Sequence, residues 1–496
     1  MPMIKPLAAA LAAALLPATA FAQPALTIYS RAAPGSLDAR SLGNEGSVIP
    51  GYAVVREERP FALSAGRNLL RVDDVPALID PTTVAFTSLT DAAGTRVVEQ
   101  SFEFDLTSTT KLLSRYLGRE IGVDQAHGTT VDRIDGTLVG TQGGLTLKMS
   151  DGSVRIIGGY DGVRLPSLPG GLVSKPALVW DLEAAHAGTQ RTQFSYQTGG
   201  MTWWADYNLT YSEPRPGSCR VDVGAWVTIV NQSGASFPEA RVKLVAGDVQ
   251  RAQPRGYGAV PEAAPMAMRM DKAAGFVEKS FFEYHLYTLG RSTALANNST
   301  KQIELFPNAP GVGCEKTLVY QGQAGSSIYG GGPYLDRNYG VQGNKKVDVY
   351  LRMKNAKDNG LGMPLPAGRV RVSRRDEADG ALEFIGEDVI DHTPRDETVQ
   401  VRLGSSFDVV GERKQLDFRI DTSAKWIEED IELRVRNHKE EEQPVVVREN
   451  LYRWSQWSIT RHSQDYAKED SRTIDFRLRV APKGEAVVRY TVRYTW

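Results

Sequence analysis

The chain has 496 residues, of which 24% are charged and 41% hydrophobic, an ordinary balance for a folded protein that excludes wholesale disorder. Gly and Pro together make up about 15%, which excludes a collagen-like or low-complexity chain. Lys+Arg 58 against Asp+Glu 59 gives a formal net charge of −1, so no basic excess points to nucleic acid and no acidic excess to a solvating tail.

The N-terminus, MPMIKPLAAALAAALLPATAFA, has the three-part layout of a secretory signal peptide. Lys5 precedes an apolar run from Leu7 to Leu16, Pro17 breaks it, and Ala20-Phe21-Ala22 is a small-x-small cleavage site. The run is too short to span a bilayer, and no later stretch approaches the length of a transmembrane helix. The expected mature protein begins at Gln23 and is periplasmic or secreted. It holds two cysteines, Cys219 and Cys314. An oxidising compartment and an even count favour a disulfide over two separate buried thiols. Closing a loop of about 95 residues is worth roughly 4–5 kcal/mol on the chain-entropy model.

Residues 23–106 read as an N-terminal β-sheet domain. Residues 107–165 read as a helix plus a small β-barrel. Ser108 is the expected cap, Leu112, Leu113, Tyr116 and Leu117 form an apolar stripe, and Gly118 stops the helix. The short β runs Gly136–Val139, Leu145–Met149 and Val154–Ile157 follow, with a tight turn at Asp151-Gly152. Residues 166–419 read as a central β-sandwich region and 420–496 as a separate C-terminal sandwich. Alternation carries these assignments, because successive strand side chains point to opposite faces. Val347, Val349 and Leu351 alternate with Lys346, Asp348 and Arg352, and Ile431, Leu433 and Val435 with Glu432, Arg434 and Arg436. Val488, Tyr490, Val492, Tyr494 and Trp496 share one face near the end. That last run is also similar to the closing strand of an outer-membrane barrel, a minor alternative, although short strands with frequent Arg and Glu argue against a lipid-facing band. Trp203 and Trp204 are adjacent, so a strand must point them to opposite faces. The fold class expected is mainly β, with several sandwich units.

Two stretches read as long loops. Residues 251–275 are rich in Ala, Pro, Met and Arg. Residues 322–346 are rich in Gly and carry Tyr329, Tyr334 and Tyr339, the composition of an adaptable binding loop. No repeat of short fixed period stands out.

A series of blocks resembles a known family. In order they are Leu70–Pro81, Lys175–Glu183, Thr198–Tyr207, Trp226–Gly234, Leu244–Val249, Ser280–Leu289, Leu361–Val372, Gly386–Pro394 and Val435–His438. The series is similar to the exported bacterial family named domain of unknown function 4139 and covers nearly the whole mature chain. The resemblance implies a β-rich, immunoglobulin-like architecture and an exported product. It brings no catalytic residue and no cofactor. The cysteine pair is not part of the family pattern.

Recognisable chemistry is scarce. No Gly-x-Ser-x-Gly elbow, phosphate-binding glycine loop, His-x-x-x-His or Cys-x-x-Cys spacing occurs, so the motifs imply no cofactor and assign no catalytic or metal-ligating residue. The richest polar cluster is Glu387, Asp388, Asp391, His392, Asp396 and Glu397. Carboxylates beside a histidine suit a divalent ion or acid–base work. Strand alternation splits them between two faces, however, and His392-Thr-Pro394 reads as a strand end. His285, in Phe-Phe-Glu-Tyr-His-Leu-Tyr, reads as a half-buried strand histidine. The leading expectation is a non-catalytic envelope module that binds a protein or a glycan. The alternative is a hydrolase of envelope polymers using Asp391 and His392.

Overall fold

The computed structural model describes residues 22–30, 49–104, 109–127, 130–167, 175–215, 217–247, 249, 276–323, 332–341 and 343–496. The signal segment before Ala22, residues 251–275, Ser108 and Tyr329 lie outside the described residues. Strands account for 66% of the structure and helix for 2%, so the protein is mainly β, as the alternation predicts.

Two large sheets line the first core, and a three-stranded sheet adds Leu178, Trp180 and Leu182 to it. In one, the strand Ala22–Ser30 runs parallel to Phe237–Ala246 and antiparallel to Gly51–Leu63, which in turn pairs with Gly188–Gly199. The facing sheet is led by Met201–Ser212 and Cys219–Asn231. Alternate side chains of both turn inward. Leu26, Ile28, Ala53, Val55, Phe194 and Tyr196 meet Trp203, Ala205, Tyr207, Val223 and Val227 in one cluster. Trp203 is buried and Trp204 half-buried, as opposite faces require. Pleat geometry thus converts a period-2 sequence into a two-layer core.

The helix forms as expected at Thr109–Arg115, burying Leu113 and the following Tyr116, while Leu117 stays exposed. Gly118 ends it at φ 78°, a left-handed conformation that glycine adopts at little cost. The barrel expectation needs correction. The five strands after the helix order as 162–164, 120–127, 130–140, 145–148 and 154–157, and the two outer strands do not pair. One side of an open sheet is enough to cover Leu113 and Tyr116 with Ile121, Val123, Leu138 and Leu147.

The expected boundary at residue 420 also moves. Position 420 lies inside the strand Thr398–Asp421, and the last core recruits Leu318, Tyr320, Val347 and Val409 from well before it. The reason is the strand Ser299–Gln321, which belongs to two units. One of its edges pairs with Cys219–Asn231 over residues 299–314 and then, in parallel, with Gln443–Asn450 over residues 318–321. The disulfide joins Cys219 to Cys314, register partners with Cα atoms 4.9 Å apart, at the rung just before that handover. The C-terminal strand Glu485–Thr495 lies between Trp426–Asn437 and Trp457–His462 and buries Val488, Tyr490, Val492 and Tyr494 in protein. There is no closed barrel among the described residues. No described helix is long and apolar enough to cross a membrane.

The two units follow one plan. Asn231 ends its strand and donates from Nδ2 to the carbonyls of Ala235, Leu295 and Ala296, while its Oδ1 accepts the Ser233 amide. Asn437 ends its strand and donates to Glu441, Val480 and Ala481, while its Oδ1 accepts the Lys439 amide. In each unit the following strand then pairs in parallel with the opening strand of that unit. A buried amide that satisfies three carbonyls and one amide closes the end of each sandwich without leaving orphan backbone groups.

Because the disulfide spans a sequence separation of 95, replacing both cysteines by serine is expected to lower stability by up to about 4–5 kcal/mol, read by urea denaturation.

Candidate functional site

The predicted tyrosine loop sits on a buried ionic core. On the strand Thr398–Asp421 the inward positions are Val409, Gly411, Arg413 and Gln415, and on Trp426–Asn437 they are Ile427, Glu429, Ile431 and Leu433. Two of these inward residues are therefore charged. Arg413 Nε donates to both carboxylate oxygens of Glu449, at 3.2 and 3.0 Å, across the core. Both side chains are essentially inaccessible to solvent. Burial, the largest single influence, opposes the charge on Arg413, but Glu449 together with Tyr490, Tyr452 and Glu429 outweighs it and holds the guanidinium protonated. The Tyr490 hydroxyl donates to Glu449 from the third strand, and burial with that carboxylate keeps the phenol well above its ordinary pKa.

The second pair is Arg453 with Glu429, both fully buried. Arg453 Nε lies 2.9 Å from Glu429 Oε1, yet its N–H is not directed at that oxygen. Oε1 instead accepts from Gln415 Nε2 at 2.7 Å and from the Tyr452 hydroxyl at 3.2 Å. Oε2 has no donor among the described residues. The rest of the Arg453 guanidinium holds the loop: Nη1 donates to the carbonyls of Tyr334 and Asp336, and Nη2 to those of Arg337 and Tyr339. The Tyr334 amide returns a bond to the Arg453 carbonyl. One side chain thus fixes four carbonyls of a segment that has no strand partner.

Tyr334 and Tyr339 stack at 4.2 Å with rings 7° from parallel, and Tyr339 leans on Tyr452 at 5.8 Å. Both loop rings are half-buried, and Leu335, Asp336, Arg337 and Asn338 between them are exposed. Gly340 closes the loop at φ 74°, where a Cβ would lie 2.6 Å from the Tyr452 ring. Glycine is required there by both the backbone angle and the close approach. The two predicted tyrosines that are described are therefore brought together, on a segment held by the four bonds from Arg453.

The acidic cluster does not converge. Asp388 Oδ2 accepts the Arg402 amide at 2.7 Å, so this carboxylate joins the outermost strand, Leu382–Ile390, to Thr398–Asp421 where no ladder does. Glu387 faces Arg371 at 3.4 Å. His392 Nδ1 accepts the Ala367 amide at 3.0 Å. Asp391 and Asp396 are exposed, and Asp396 has φ 66° in a turn whose hub is buried Asn355. Asn355 Nδ2 donates to Met363 and Pro394 carbonyls, and its backbone carbonyl accepts the Asp396 amide. No group of three or more His, Cys, Asp or Glu among the described residues is arranged to hold a metal ion. His285 is half-buried in its strand, with Nδ1 2.7 Å from Glu278.

Beside the disulfide, Glu213 accepts from the Tyr211 hydroxyl at 2.6 Å, Lys316 at 2.9 Å and the Gly217 amide at 3.0 Å. Burial alone would raise this carboxyl. The three donors outweigh burial and hold it at about 2, below the usual 4.5.

Arg413, Glu429, Glu449 and Arg453 escape a sequence search for sites. The first three carried a signal: each stands at an inward position of an alternating run, as in Ile427-x-Glu429-x-Ile431. Arg453 follows its strand and carries no periodic signal. With the geometry described, the class is a multi-sheet β protein with a hydrogen-bonded aromatic loop. No protein-family model matches the chain, and a search of curated proteins finds no match.

Replacing Arg453 with Met strands Glu429 in the core and is expected to cost about 3–5 kcal/mol by chemical denaturation. Adding Glu429→Gln should recover much of that loss, and amide exchange at 334–341 should accelerate in both variants. Glu213 is depressed in the folded state, so its contribution is present above pH 4.5 and lost as pH falls toward 2. Glu213→Gln should therefore destabilise the protein at neutral pH, and the difference from the parent should shrink to nothing across that window.

Proposed function

We propose that this protein is an exported cell-envelope protein, built from immunoglobulin-like β-sandwich units, that binds or scaffolds another protein or a glycan without catalysing a reaction. The signal-type N-terminus supports export, and the ordered family-like blocks support the same address. The observation that carries the binding role is the Arg453 clamp, which holds Tyr334 and Tyr339 stacked at the surface end of a buried ionic core. Fixing four loop carbonyls in advance removes ordering entropy that a flexible loop would lose on contact. Tyrosine then offers a large contact area with few rotors. Rigid presentation on a sandwich end is how such modules make contacts.

The experiment is affinity capture of the mature protein from native envelope in several detergents, beside a Tyr334→Ala/Tyr339→Ala variant whose circular dichroism matches the parent. A partner retained by the parent and lost by the variant is the expected result. A partner set unchanged by the variant, or none in any detergent, would overturn the reading. Mass spectrometry of the same preparation should place the mature N-terminus at Gln23.

A further inference from the structure

The disulfide stands where the shared strand Ser299–Gln321 is held least. On one edge of that strand, Cys219, Arg220 and Val221 pair with Cys314, Gly313 and Val312. Toward the first unit the register then slips repeatedly between Val221 and Trp226, opposite a stretch that holds Pro307 and Pro310. Proline brings no N–H to a ladder, so composition itself breaks the pairing there. Regular pairing resumes at Trp226 with Glu304. In the other direction the same edge forms no rung at Glu315, Lys316 or Thr317, and pairing returns only where Leu318 meets Val445. Pro444, again without an N–H, stands just before that meeting. The rungs from Cys219 to Val221 are thus an island, and the covalent bond is its outermost member.

The bond also borders solvent-filled space on two sides. One cleft of about 640 Å³ and another of about 560 Å³ both have Cys219 and Cys314 in their walls. Cys219 belongs to the core at 7% exposure, whereas Cys314 is half-buried. Gly217 and Gly313 flank the pair and add no side chain to cover it. Accessible disulfides are the ones that exchange with thiols, while sealed ones stay inert.

We infer that Cys219–Cys314 is a reversible redox switch, opened by a dithiol while the protein stays folded. One thiolate of the dithiol attacks Cys314 Sγ. The electron pair of the broken S–S bond leaves on Cys219, which takes a proton and becomes a thiol. The second thiol of the reagent loses its proton and attacks its own partner's sulfur in the mixed disulfide, which releases Cys314 as the second protein thiol. The protein disulfide is reduced to two thiols, and the dithiol is oxidised to its disulfide. The opposite edge of the shared strand remains paired with Lys346–Lys354 from Cys314 to Tyr320. The fold therefore survives, the island loosens, and the secure grip of the first unit on the shared strand retreats to Trp226 and Glu304.

The test treats the full mature chain with dithiothreitol in the absence of denaturant and follows both cysteines by alkylation and peptide mass spectrometry. Opening should proceed at a rate proportional to dithiothreitol and unchanged by low urea. A bond that resists until urea unfolds the chain, or a rate that climbs with urea from the start, would overturn the inference, because reduction would then require global unfolding. Glutathione, a monothiol, should be captured on Cys314, and capture on Cys219 alone would overturn the assignment of the attacked sulfur. In the opened protein, amide exchange at residues 219–225 and 309–317 should accelerate by about tenfold or more. Residues 226–231 and 299–304 should keep their protection. Unchanged exchange, or a uniform rise along the chain, would overturn the switch. Oxidised dithiothreitol should restore both the bond and the slow exchange, and failure to recover either would count equally against reversibility.

Discussion

A charge sealed in a protein core must be met by its opposite and by hydrogen bonds, and the C-terminal unit holds two arginines and two glutamates under that constraint. Arg413 with Glu449 and Arg453 with Glu429 link three strands and a loop at one end of the core. Such pairs are not stabilising in the way a leucine contact is, since desolvation consumes most of the attraction. Their effect is positional: Arg413 ties its strand to Glu449, and Arg453 lies between Glu429 and the loop carbonyls it holds. Nearby residues are chosen accordingly. Gly411 lies against the Tyr320 ring, where a Cβ would come within 2.1 Å, and Gly322 and Gly343 give way to the Arg413 side chain. The tyrosine loop owes its shape to this core rather than to its own sequence.

Much of the fold was legible because period 2 survives in the sequence wherever a sheet has one covered face. Val488, Tyr490, Val492 and Tyr494 are all buried, as their alternation says, and the short strands around Asp151-Gly152 fall where the turn places them. Alternation is silent about which strand lies beside which. The boundary at 420 and the closed barrel were both statements about pairing, and both changed. The cysteine pair was legible from its even count in a chain expected to be exported. The acidic run at 387–397 looked like a site because charge density is visible in one dimension. In three, Asp388 substitutes for ladder bonds and its neighbours serve a turn. The ionic core was hidden by the opposite effect, since its members lie far apart in the chain and each is a single charge among apolar neighbours.

The duplication of plan was invisible for a related reason. Asn231 and Asn437 make the same kind of bonds, yet the residues around them differ, because burial constrains size and polarity more than identity. Only the amide is irreplaceable, as no other side chain of that length offers two donors and an acceptor to the backbone at once. Both asparagines fall within blocks that carry the family resemblance, Trp226–Gly234 and Val435–His438.

The strand Ser299–Gln321 has a mechanical meaning. It is gripped by one unit along its first part and by the other along its last, with a covalent tie at the point of exchange. The two units are therefore joined through one continuous strand and its ladders rather than through a linker.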